Sequence, residues 1–433
     1  MRSSSGCRPS SHAQILSVGA YRPERFVSNG EVSDRIDSSD EWIRARSHIV
    51  RRRWAGPHES LTDMAVRAAE RALANGGVAA ADVDCLLVAT ITHLKQTPAA
   101  AVEIAHRIGA GNAGAMDVSA ACAGFSYALA VACDGVRAGT SRYVLVIGAD
   151  RMTDIVDPTD RSTAFLFADG AGAVLVGPSH TPGIGPVVWG CDGTQPDAVA
   201  QDKSWDDWRA EVRADPDADW PAMRMHGQQV FRWVSRECVR VAEQAVSAAG
   251  LDLSRLDAFI PHQANDRLTD VLVKNLGLSD RVAIARDVVD QGNTSGASIP
   301  LAMERMLTTG QVRGGDIALL LGFGAGLTYA AQVVRLPAEA TAGAPPVRFT
   351  GGRAEAVCHL ADVVRELSPN EIGPVHLDTS FTADLGGDSL FVAEVATEIE
   401  DRLGVCFPEE ILRRATTIRD LAEYLARDSA EVS

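Results

Sequence analysis

The sequence predicts a duplicated α/β unit followed by a small all-helical bundle. Three observations carry this. A helix–strand succession occurs twice in the first three-quarters of the chain. Its strands are unbroken apolar runs. A stretch rich in Ala, Gly and Pro then gives way to a segment in which no strand pattern is visible.

The first copy opens with a helical pattern over Leu61–Ala74, stopped by Gly76-Gly77, and leads to the apolar strand Cys85–Ala89. The second opens over Val230–Ala248, stops at Gly250, and leads to the strand Ala258–Ile260. An Asp precedes each strand, Asp84 and Asp257. A helix then starts near Cys122, runs to Arg137 and is followed by the strand Tyr143–Ile147. Its counterpart starts near Asn293, runs to Leu307 and is followed by Ile317–Leu321. Each half closes with a further strand, Ala173–Val176 and Tyr329–Val334. Continuous apolar strands between helices read as sheets buried on both faces. The halves are expected over 13–178 and 179–337, with the chemistry where they meet. The acidic, Trp-containing stretch Trp205–Trp220 reads as an irregular excursion with no assigned role.

Residues 1–12 are Ser-rich without an apolar run and read as a loose tail rather than a signal peptide. Residues 338–352 read as a linker. Residues 353–428 carry helical patterns at Ala356–Leu367, from Ser389 to Gly404, and at Thr417–Ala426, the signature of a small bundle.

The net charge of −16 argues against a nucleic-acid-binding surface. The acid is concentrated late: residues 353–428 hold 16 Asp and Glu against 7 Arg. The eight cysteines form no C-x-x-C pair, so neither a zinc site nor a redox dithiol is indicated, and a reducing, cytoplasmic setting is expected. No run approaches the roughly 20 apolar residues of a membrane span.

Three residues stand at strand-to-helix turns. Cys122, in DVSAACAGF, precedes a helix whose dipole would lower a thiol pKa, and its small neighbours leave room for a substrate. A buried structural cysteine is the plain alternative. His262, in PHQAND, follows a strand end, where ligands of α/β sheets bind, although a solvated His is the commoner outcome. Asn293, in GNTSGASIP, is also readable as a helix cap. The internal repeat places Asn293 opposite Cys122.

DVSAACAGF, PHQAND, GNTSGASIP and GFGAGLT, in this order, resemble the β-ketoacyl-acyl-carrier-protein synthase III family over about residues 13–337. The resemblance implies a thiolase-like fold of duplicated α-β-α-β-α layers and a homodimer. It implies Cys122, His262 and Asn293 as catalytic residues, with the amides of Cys122 and Ala325 as oxyanion hole. It also implies coenzyme A or carrier contacts at Trp42, Arg46, Arg161 and Arg267, and an acyl pocket at Thr97 and Phe323. Where the family commonly has Thr-Gly after the Arg, this chain has Ser47-His48, a change expected to alter adenine contacts. The loop His93–Pro98 resembles the segment that reaches across the family's dimer.

LGGDSL, residues 385–390, resembles the phosphopantetheine attachment motif of acyl and peptidyl carrier proteins, with Ser389 carrying the arm; a plain Asp-Ser cap is the alternative. The expected reaction is acyl transfer from coenzyme A or a carrier to Cys122. Decarboxylative condensation with a malonyl-type thioester follows, in fatty-acid- or polyketide-like metabolism. The expected partners are these thioesters, a carrier protein and a phosphopantetheinyl transferase. The alternative is an acyltransferase of the same family that forms an ester or amide without a new carbon–carbon bond.

Overall fold

The computed structural model describes residues 12–337 and, further on, 353–368, 375–385, 391–392, 394–396, 399, 407 and 409–430. The chain divides into two compact units, Met1–Thr341 and Ala342–Ser433.

The large unit holds two five-stranded sheets. The first is built from β1 (His12–Tyr21), β4 (Cys85–Ala89), β5 (Gly114–Val118), β6 (Val144–Arg151) and β7 (Asp169–Ser179). The second is built from β8 (Val188–Cys191), β11 (Ala258–Pro261), β12 (Ala283–Ile284), β13 (Ile317–Gly324) and β14 (Thr328–Arg335). The orders are β1-β7-β6-β4-β5 and β8-β14-β13-β11-β12, one topology used twice. In each sheet the inner strand pairs parallel with two neighbours and the last two strands run antiparallel. Two short ribbons complete the unit: β2 (Phe26–Ser28) with β3 (Arg51–Arg53), and β9 (Val199–Gln201) with β10 (Met223–Met225).

Strand periodicity explains the layering. In β6, Val144 and Val146 face the middle of the unit, while Leu145 and Ile147 face outward. The middle layer is the helices Gly124–Ala138 and Ser298–Thr308, whose Phe125, Leu129, Ile299 and Met303 pack between the sheets. The helix Leu61–Gly76 covers the outer face of the first sheet, opened by a reciprocal Ser60–Asp63 capping box. Helices Gly227–Ala248 and Asp266–Leu276 cover the second. The result is five alternating layers.

Two expectations change. His12 is not tail: it pairs with Ser179 and opens β1, because the antiparallel partner β7 extends that far. The excursion after β9 is not irregular throughout: Trp205–Ala214 is a helix with its own capping box, Ser204 with Asp207.

In the small unit, helices Arg353–Leu367 and Ile418–Ala430 enclose a core with Val364, Phe381, Val395, Ile399 and Leu425. A further short helix spans Glu409–Arg414, which the sequence pattern did not reveal. The last helix runs past 428, the expected end of this domain. The backbone of 377–381 pairs with the start of that helix: Ile418 N donates to Thr379 O at 3.0 Å and Arg419 N to Leu377 O at 2.8 Å. Residues 1–11, the linker stretch 338–352 and Ser389 lie outside the described residues.

Candidate active site

The two helices of the middle layer begin alike. Ala121 (φ 46°) and Ser295 (φ 50°) adopt the left-handed conformation, each opening a 3-10 turn, Ala121–Ala123 or Ser295–Ala297, that feeds the following helix. Non-glycine residues seldom sit there, and such strain marks positions fixed by their surroundings. Cys122 therefore corresponds to Gly296. Asn293 corresponds to Ser119, three residues earlier than the sequence repeat implied.

Cys122, His262 and Asn293 line one narrow apolar cavity of about 50 Å³, together with Phe167, Met225 and Phe323. Each is held from several sides. The Cys122 thiol donates to Ser295 Oγ at 3.4 Å. Asn293 is gripped by the first half: its N–H donates to Leu166 O and its carbonyl accepts from Ala168 N, both at 2.8 Å. Its side-chain Oδ1 accepts from Ser295 N at 2.9 Å, leaving the amide NH₂ end to other partners. His262 N–H donates to Leu321 O at 2.8 Å, the ring Nδ1 lies 2.7 Å from Ser298 Oγ, and the ring meets Phe323 edge-on at 5.1 Å.

The turn after β13 presses onto Cys122. A Cβ on Gly324 would stand 2.7 Å from Cys122 N, so only glycine allows this approach. The next residue, Ala325, lines the Cys122 cavity. Thr328 Oγ1 ties the turn down by donating to Ala120 O and Ala325 O, both at 3.1 Å. Cys122 and Ala325 thus line one space.

Burial sets the charge states. The Cys122 thiol is pushed up to about 12 by burial, with the Ser295 hydrogen bond opposing and buried Asp150 adding to the rise. This reverses the expected lowering. The helix proper starts at Gly124, two residues on, and burial is the largest cause of the shift. Burial holds His262 down to about 3, so the imidazole is neutral.

Three functional neighbours escaped the sequence reading. Ser295 and Ser298 stand inside GNTSGASIP, and Asp150 is the last residue but one of β6. Asp150 Oδ1 accepts from Ile91 N, Thr90 Oγ1 and Thr92 Oγ1 at 2.9–3.0 Å, and its Oδ2 accepts from Gly296 N at 2.9 Å. An acidic residue directly after the apolar run Val144–Ala149 was the signal available.

A second cavity of about 360 Å³ adjoins the first, sharing Ala121, Met223 and Ala325. His93 and Leu94 line it from their own chain. Thr97 is exposed and lines neither cavity of its own chain. Phe323 lies in the Cys122 cavity.

Trp42 stands on the helix Asp40–Ser47, with the Arg46 and Arg161 guanidinium groups over its ring at 4.4 and 4.8 Å. Arg267 Nη1 donates to Ala45 O at 2.9 Å, joining the same helix. These four side chains line neither cavity. Ser47 and His48 follow Arg46 at the end of this helix. Ser47 is buried and donates to Ile43 O, while His48 caps the helix at φ 61° with Nδ1 3.0 Å from Asp266 Oδ2.

Family models give the larger setting. 3-oxoacyl-(acyl-carrier-protein) synthase III matches residues 116–193, and its C-terminal model matches 246–336. The beta-ketoacyl-(acyl-carrier-protein) synthase III 1 of Streptomyces coelicolor is 52% identical over 332 residues, covering 75% of this chain and 97% of that one. The chain belongs to the β-ketoacyl-(acyl-carrier-protein) synthase III family. A mycobacterial synthase III from Mycobacterium avium is 51% identical over 323 residues, 75% of this chain and 95% of that one. Among solved structures, the priming β-ketosynthase of the R1128 polyketide biosynthetic pathway superimposes with a TM-score of 0.74 at 49% identity, over 76% of this chain and 98% of that one. This synthase III also has an added domain: the phosphopantetheine attachment site model matches 358–425. It is therefore an acyl-transferring condensing enzyme fused to a phosphopantetheine-bearing carrier domain. No described helix is long and apolar enough to cross a membrane.

Proposed function

We propose that Cys122 takes an acyl group from a coenzyme A thioester and that His262 and Asn293 then drive decarboxylative condensation. The convergence of these three side chains on one apolar cavity carries this reading. In the first step the thiol sulfur attacks the thioester carbonyl, the Cys122 and Ala325 amides hold the oxyanion, and free thiol leaves with the proton. The acyl chain extends past Ala121 and Ala325 into the second cavity. A malonyl-type thioester then loses carbon dioxide. The enolate oxygen needs donors rather than a strong base, and a neutral His262 supplies one. Ser298 Oγ accepts from Gln263 N at 3.4 Å and is placed to donate to His262 Nδ1, which leaves the ring hydrogen on Nε2. Asn293 Nδ2 supplies the second donor. The carbanion attacks acyl-Cys122, a β-ketoacyl thioester forms, and the cysteine regains its proton.

Trp42, Arg46 and Arg161 are placed to grip the adenine end of coenzyme A. Arg161 lies too close to Trp42 to admit a ring between them, so it swings outward on binding. Arg267 lies beside this helix for the phosphates or a carrier. A second copy of the chain is the expected partner at the edge strand β5, where Met116 and, on the helix Ala100–Arg107, Val102 are exposed. Thr97 would act across that interface. The carrier domain takes its arm at Ser389 from a phosphopantetheinyl transferase. The likeness to a priming ketosynthase supports a role in starting fatty-acid- or polyketide-type chains.

The test is malonyl-dependent release of carbon dioxide. His262→Ala and Asn293→Ala are expected to keep self-acylation of Cys122 while decarboxylation falls about 10²–10³-fold, the usual effect of one lost oxyanion donor. Acyl transfer to an alcohol or amine without carbon dioxide release would refute condensation.

A further inference from the structure

The helix Trp205–Ala214 belongs to an excursion between β9 and β10, rooted where Gln201 pairs with Met223. Asp202 fastens the root: its N–H donates to Ala222 O at 2.9 Å and its Oδ1 accepts from Ala222 N at 3.0 Å. Arg224 adds bonds to Asp202 and to Asp157 at 3.2 and 3.0 Å. The excursion is thus anchored, yet none of the helix is buried.

Three tryptophans hold it together. Trp205, Trp208 and Trp220 pack edge to face, with ring centroids 4.9–6.3 Å apart. Trp205 nonetheless remains 44% exposed. With Pro221 it lines the second cavity, as do Ile91, Leu94, Ile155 and Met223. Leu94 is itself 50% exposed. Leu94 belongs to the loop expected to meet a second copy of the chain, whereas Trp205 borders the cavity with part of its indole uncovered, surface that an entering acyl chain would cover. A cavity of about 360 Å³ falls at the small end of ligand-binding volumes, roomier than acetyl requires.

We propose that Trp205 determines primer specificity: its indole forms the end wall that admits branched and medium-length acyl groups and stops longer ones. This rests on the reading that Cys122 takes the acyl group, since the cavity reaches Cys122 through Ala121 and Ala325. Removing the wall lets a longer chain bury additional methylenes, each worth about 0.8 kcal/mol, or about fourfold in affinity.

The experiment offers the full-length chain an equimolar mixture of acetyl-, isobutyryl-, hexanoyl- and octanoyl-coenzyme A and reads the acyl masses on the Cys122 peptide. It compares the wild type, Trp205→Ala and Trp205→Phe. In Trp205→Ala the octanoyl-to-isobutyryl ratio is expected to rise at least about fourfold, the effect of one added buried methylene. Trp205→Phe, which keeps an aromatic ring in the triad, should fall between and decides the matter should the alanine variant not fold. A wild-type ratio in the variants, or an equal loss of all four acyl groups, would overturn the proposal by reducing Trp205 to a structural role. Absence of any acyl mass on wild-type Cys122 would instead refute the underlying reading, and the inference with it.

Discussion

Ser298 Oγ stands 2.7 Å from His262 Nδ1, inside the protein and at the first turn of the helix Ser298–Thr308. In the proposed mechanism Ser298 donates across this contact, which puts the ring hydrogen on Nε2. Ser298→Ala removes the group that sets the tautomer but leaves Cys122 untouched. Decarboxylation of a malonyl thioester should drop roughly fivefold, the worth of about 1 kcal/mol for one neutral hydrogen bond. Self-acylation should hold at the wild-type level. Equal losses in both half-reactions would show that Ser298 only supports the fold.

The Cys122 thiol, pushed up to about 12 by burial, should alkylate sluggishly at neutral pH in the ligand-free protein. The rate with iodoacetamide should still be climbing with pH beyond pH 9. Peptide mapping separates this site from Cys191, the exposed cysteine among the described residues. A plateau near pH 7 would mean that the thiolate is stabilised despite burial.

His262 is expected to weaken the fold in acid. Its folded pKa, near 3, lies below its usual 6.5, so between these values the unfolded chain binds the extra proton. Stability from this group is full above pH 6.5 and declines as pH falls, with a slope of up to about 1.4 kcal/mol per pH unit. Buried Asp169, pushed up to about 6, acts in the opposite sense below that pH. Comparing wild type with His262→Gln by denaturant unfolding from pH 7 to pH 4 isolates the histidine. The variant's curve should be flatter; parallel curves would contradict a neutral buried imidazole.

Coexpression with a broad-specificity phosphopantetheinyl transferase should add one pantetheine arm, located on Ser389. Ser389→Ala should abolish the addition while Cys122 still self-acylates from coenzyme A thioesters. An arm on any other residue would refute the assignment.

Much of this architecture was legible in the sequence because apolar strand runs and glycine stops are local signals. The motifs around Cys122, His262 and Asn293 were legible for the same reason, as turns after strand ends. The state of the thiol was not. It depends on water being excluded by Phe167 from one half and Phe323 from the other, a property of assembly. The correspondence of Cys122 with Gly296 also needed coordinates, since it rests on the matching left-handed dihedrals of Ala121 and Ser295. Trp205 was visible only as an oddity, because nothing local says that an indole will face a cavity built by Ile91 and Ile155.

The backbone of Asn293 is clasped by Leu166 and Ala168, residues that precede it by more than a hundred positions. The twofold plan of the chain is therefore broken at the place where it matters. Neither repeat, synthesised by itself, owns a complete set of reacting groups, and the earlier one must wait for the later to arrive. A nascent chain released after β7 would present Cys122 without a partner. Activity would then appear only with the last strands of the second repeat, so the onset of self-acylation during translation or refolding times the joining of the two repeats.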